Sequence, residues 1–185
     1  MSKINYLENT QPVPDPDMSP SLSVSASAMV DEAGTFEALD IPQRLVVWGC
    51  RTWVAGCRQQ RCTMDDVRAV FSRFAVIDAA ASLDALLGAA AQYAIRPIQV
   101  RCPVCAQISD DEVILLHAAA AAQHRDLPAA RGHLEHWLPA ALADWALGPL
   151  CGLGALFEHA GLILPVRSES KQGLPLRGSK RCHLH

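Results

Sequence analysis

"RCPVCAQISDDEVILLH", residues 101–117, decides how the chain is read. Two cysteines at Cys-x-x-Cys spacing, with a proline between them, make a tight turn. Four residues beyond Cys105, Ser109 stands three positions before Glu112. This is the reciprocal capping box that opens a helix, since the serine hydroxyl accepts from a free amide of the first turn and the glutamate reaches back. Upstream, "IRPIQV" breaks the helical period: Ile98, Val100 and Cys102 alternate with Gln99, Arg101 and Pro103, which predicts a short extended piece over 97–105. The stretch therefore reads as strand, turn and capped helix, with the helix running to about His124.

The flanking segments are helical. "IPQRLVVWGCRTWVAGCRQQ" places Val46, Cys50, Trp53 and Cys57 on one apolar stripe, with Arg44, Arg51 and Arg58 repeating every seven residues on another face. The stripe predicts that Trp53 is buried. Thr63 and Asp66 predict a second capping box, followed by Val67, Val70, Phe71 and Phe74 as a buried face. A third helix over roughly 76–94 would bury Ile77, Ala80, Leu83, Leu87 and Ala90. Asp126 caps a fifth helix, and Pro139 suits the first turn of a sixth. Gly148-Pro149 predicts a break before a last helix that ends at Gly161. The expected fold is all-α, an irregular bundle of six to seven helices. Alanine is abundant and aromatics make up 5% of the residues, which calls for helices that approach closely.

Charge divides the chain. Residues 1–40 hold one base, Lys3, against seven acids, among prolines and serines, and too few large apolar groups to offset the entropy of ordering. They read as a disordered acidic arm. Residues 166–185 carry five bases against Glu169 and read as a disordered basic tail, leaving 41–165 as the helical domain. That domain has ten arginines against eleven acids, no excess that would neutralise phosphates, so nucleic acid is not expected as a partner. The apolar run at 145–157 is too short to span a bilayer. "SLSVSASAMV" lacks the positive start of a signal peptide. Seven cysteines, an odd number, then suggest a reducing cytoplasm and free or metal-bound thiols. Alanine, and arginine in preference to lysine, suggest a bacterial source.

The Cys102–Cys105 pair allows three chemistries. A zinc site would take both thiolates and His117, which follows at nearly finger-like spacing, so the candidate metal ligands are Cys102, Cys105 and His117. His124 is seven positions further, roughly 10.5 Å along a helix, too far to share an ion with His117. The fourth ligand would come from His133 or His136. Cys57 and Cys62 form a looser pair, and Cys182, His183 and His185 a metal-prone end. A redox pair is the second chemistry, disfavoured by the acids at 110–112, which oppose thiolate formation. The third is two small residues packing a turn. No nucleophile elbow, zinc-protease motif or phosphate-binding glycine loop occurs, so no catalytic residue and no resident cofactor other than zinc are expected. The expected function is that of a non-catalytic accessory or adaptor protein, acting through protein–protein contact. The arginine row offers one docking face for an acidic partner.

Overall fold

The computed structural model describes residues 34–166 and, as backbone, the strand Ile4–Leu7. The fold is all-α but for one minimal ladder, in which β1 (Ile4–Leu7) runs parallel to β2 (Ile98–Arg101) with Ile4 opposite Ile98. Residues 8–33 of the expected arm and the basic tail beyond residue 166 lie outside the described residues. Among the described residues the segment 34–40 packs against the body: Thr35 bridges Gln107, and Phe36 N–H donates to the Ala106 carbonyl at 2.7 Å.

Six α-helices follow among the described residues: α1 (Ile41–Arg58), α2 (Met64–Ser72), α3 (Ala79–Tyr93), α4 (Asp110–Gln123), α5 (Leu127–Leu134) and α6 (Ala140–His159). Helix α6 packs on α3, α4 and α5, while α1 reaches α2, α3, α4 and β2. Helix α4 is enclosed. Ala118–Ala122 are all buried, as expected of a helix apolar on every side. Their small side chains let α6 approach, and a Cβ added at Gly154 would lie 2.9 Å from the Gln123 Cα. Buried Gln123 then ties down the C-terminal segment, donating to the Leu162 carbonyl at 2.9 Å and accepting from Leu164 N–H at 2.7 Å.

The expected helices are present with four corrections. Gly148-Pro149 does not break the chain, because α6 runs through Pro149. The amide that proline lacks would have served the Trp145 carbonyl, and Trp145 is half exposed, so water can take that acceptor. Thr63 does not cap α2, since its hydroxyl donates instead to the Thr52 carbonyl at 3.1 Å. The buried face of α1 is rotated from the predicted stripe: Val46, Val47, Cys50, Arg51 and Val54 are inside. Trp53 lies at the edge with its indole N–H on Asp84 at 2.6 Å, and Cys57 is exposed. Ile77 and Phe74 are exposed rather than buried, because both fall outside α2 and α3, in the turn that joins them. The helix end at Gly161 is as expected: its φ is +74°, and Leu162 N–H donates back to the Phe157 carbonyl at 2.9 Å. By length and composition α6 is the one helix among the described residues apolar enough to cross a membrane, and its Ala143, Ala146, Leu150, Leu153 and Phe157 fill the core.

Two glycines of α6 should respond with opposite sign to alanine. Gly154→Ala, pressed against the Gln123 backbone, is expected to cost about 1–3 kcal/mol. Gly148 has open space beside it, so Gly148→Ala should stabilise by about 0.5–1 kcal/mol through helix propensity. Urea melts of the two variants check this, and equal effects would show that α6 does not sit against α4.

Candidate functional site

The start of α4 carries three acids in its first turn, and two of them are buried, Asp111 at 4% exposure and Glu112 at 1%. Each is answered by an arginine from elsewhere. Arg51 of α1, fully buried, donates Nε to Glu112 Oε1 at 2.7 Å and Nη2 to Oε2 at 3.0 Å. Its remaining donors reach the Cys105 carbonyl at 2.6 Å and the Gln107 carbonyl at 2.7 Å. Phe36 lies under the guanidinium, 5.2 Å from the ring centroid. Arg96 forms a two-pronged pair with Asp111 at 2.5 and 3.1 Å, and the Trp137 indole donates to the same carboxylate at 2.9 Å.

Both acids also reach the strand. Asp111 accepts from Gln99 N–H at 2.7 Å and Glu112 from Arg101 N–H at 3.1 Å. The Ser109 hydroxyl donates to the Gln99 carbonyl at 2.6 Å and accepts from Glu112 N–H. One edge of β2 is thus paired with side chains of a helix start, while β1 occupies the other. A buried charge is tolerated only when paired and fully hydrogen-bonded, and both carboxylates meet that condition. Burial by itself raises the Asp111 carboxyl, but the bonds from Arg96, Gln99 N–H and Trp137 outweigh it and hold the group below the ordinary carboxylate range.

This knot frames the Cys-x-x-Cys turn. In this structure Cys102 and Cys105 are joined as a disulfide with Cα atoms 5.2 Å apart. His117 does not approach them. It lies eight residues past Ser109, roughly 12 Å up the helix axis, and packs its ring against His133 of α5 with centroids 5.4 Å apart. The two rings and Asp126 line a cleft of about 290 Å³ between α4 and α5. His136 is exposed, and its carbonyl accepts from Arg96. Among the described residues no three His, Cys, Asp or Glu side chains gather as a set of metal ligands. Cys182, His183 and His185 lie outside the described residues. The arginine row is also divided, since Arg51 points into the core while Arg44 stays near the surface, its Nε on the Leu39 carbonyl at 2.6 Å.

Sequence reasoning missed Arg51, Arg96 and Asp111. One signal was present: Arg51 follows Cys50 and precedes Val54 by three, inside the apolar phase of α1, and Glu112 offered a carboxylate already committed to a cap. The open feature of this face is a groove between α1 and α2. Phe36, Ile41, Leu45, Trp48, Val70 and Phe74 line a cleft of about 340 Å³ with Arg44 at its rim. Trp48 and Val70 carry it into a neighbouring cleft of about 510 Å³ that ends at Pro103 of the disulfide turn. No family model, curated protein or solved structure matches the chain.

Arg51→Met should cost about 3–5 kcal/mol in urea melts, because it strands Glu112 as a buried charge. Adding Glu112→Gln to that variant should recover part of the loss; a single-variant cost below about 1 kcal/mol would show that the pair does not close. The Asp111 carboxyl, lowered in the native state, contributes stability that is present above the unfolded value near ~4 and lost as pH falls through the native one. The stability gap between wild type and Asp111→Asn should therefore shrink between about pH 5 and pH 2. A gap constant over that range would contradict the assignment.

Proposed function

We propose that the chain is a non-catalytic accessory protein of the bacterial cytoplasm that binds a protein partner through the α1–α2 groove. The observation that carries this reading is an apolar surface left uncovered among the described residues: Ile41 is 54% and Phe74 37% exposed, and they flank Trp48 and Leu45. Elsewhere the large exposed apolar side chains, Val104, Ile95 and Trp145 among them, stand on separate elements, whereas these line one concave face. An apolar patch of this kind on a small domain marks an interaction site. The groove lies between two helices, the geometry that receives the apolar face of an amphipathic helix from a partner. Arg44 at the rim favours acidic residues flanking that helix.

The acids at the start of α4 support binding over catalysis there. The buried acids that a catalyst would use as acid or base are each saturated by an arginine and by backbone amides, so no proton-transfer group is left facing a cleft there.

Ile41→Asp and Phe74→Asp test the reading, since both sites are exposed and the fold should tolerate them. Cross-linking in the source cells with wild-type protein should yield a defined partner, whose purified form then binds by calorimetry. Either charge should weaken that binding at least about tenfold, a loss of ~1.4 kcal/mol, with unchanged thermal melts. Equal binding by all three proteins would exclude the groove.

A further inference from the structure

Cys102 and Cys105 close a ring of only four residues. In the chain-entropy account so short a ring removes less freedom from the unfolded chain than a long one, so the bond is a modest contributor to the fold. Other groups hold the turn. Glu112 receives Arg101 N–H just before the ring, and Cys105 N–H donates to the Cys102 carbonyl at 3.0 Å within it. Arg51 then grips the Cys105 and Gln107 carbonyls on the way out. None of these hydrogen bonds involves a sulfur atom. The turn also lies at the surface: Val104, between the cysteines, is 92% exposed, Ala106 is exposed, and both cysteines are only partly buried.

Of the three neighbouring acids only Asp110 is exposed to solvent, which screens it, and the other two are paired. Asp111 and Glu112 face Arg96 and Arg51, and the paired charges cancel much of the field that would oppose a thiolate. Cys50, by contrast, is buried, and burial pushes its thiol far up, which makes it a bystander.

We propose that Cys102 and Cys105 form a reversible dithiol–disulfide couple that exchanges with dithiols, as small molecules or as proteins bearing a vicinal thiol pair. A thiolate of the dithiol attacks one cysteine sulfur. The S–S bond breaks, and the departing cysteine leaves as a thiolate that takes a proton from water. The second thiolate of the reductant attacks the mixed disulfide, releases the other cysteine and closes the reductant's own disulfide. Two electrons pass to the protein, and the reverse sequence returns them. The inference stands independently of the groove reading, since it needs no docked partner.

The full chain should be equilibrated with mixtures of reduced and oxidised dithiothreitol, quenched with acid, and alkylated differentially for peptide mass analysis. Cys102 and Cys105 are expected to titrate together and reversibly as one two-electron couple, with unchanged far-ultraviolet circular dichroism. The melting temperature of the reduced form should lie within about 8 °C of the oxidised form. The Cys102→Ser, Cys105→Ser variant should fold with the same helicity and melt near wild type. A pair that stays oxidised at every ratio while the protein is folded would overturn the proposal. So would reduction that melts the helices, or a double variant that fails to fold, since either makes the bond a structural staple.

Discussion

The ion pair between Arg51 and Glu112 is the constraint from which the rest of the architecture follows. Both side chains are removed from water, so neither charge can be left alone, and every remaining donor and acceptor must find a partner. That demand recruits the backbone of residues 101–109, which has no regular secondary structure after Arg101. A loop of this kind would ordinarily leave polar groups unmet inside the domain. Here the Cys105 and Gln107 carbonyls are taken by one guanidinium and the Arg101 and Ser109 amides by one carboxylate, so α1, α4 and β2 meet at a single point.

A second pair, Arg96 with Asp111, repeats the arrangement one residue earlier. It extends the connection to Trp137 and, through the His136 carbonyl, to the segment leading into α6. Adjacent acids on one helix turn thereby organise two different directions of the structure. Their position in the first turn is itself favourable, since the helix dipole presents positive potential there. Three acids in sequence at 110–112 would look like surplus negative charge on a surface. In the folded chain two of them are the fixed points against which the strand is aligned.

The legible part of the sequence was the part governed by local rules. Ser109 and Glu112 announced α4, Ile98 and Val100 announced the strand, Asp126 announced α5 and Gly161 the end of α6, because caps, alternation and left-handed turns act within a few residues. The all-α class followed from the same signals. Less legible were contacts between residues far apart. The sequence places Arg51 in a row with Arg44 and Arg58, yet 61 residues separate it from Glu112, the group that permits its burial. Trp53 failed for a related reason, since α1 is turned to admit Arg51 and the indole moves to the rim. At the site, the Cys102–Cys105 turn was found as a feature, but its bonded state and its separation from His117 depend on helix direction and on the packing of α5. Pro149 shows the opposite failure, a local breaking signal overridden by a helix wedged among three others.

The parallel ladder between β1 and β2 has a consequence for how the molecule assembles. It joins residues 4–7 to residues 98–101, so about half of the chain lies between the partners. Closing so long a loop costs entropy before any contact rewards it, and such pairings form late on a folding pathway. The helical body, rich in contacts between neighbours in sequence, can collapse first and present one finished strand edge. That order is what the loop entropy predicts, with the amino-terminal strand adding last to an edge that the two acids hold.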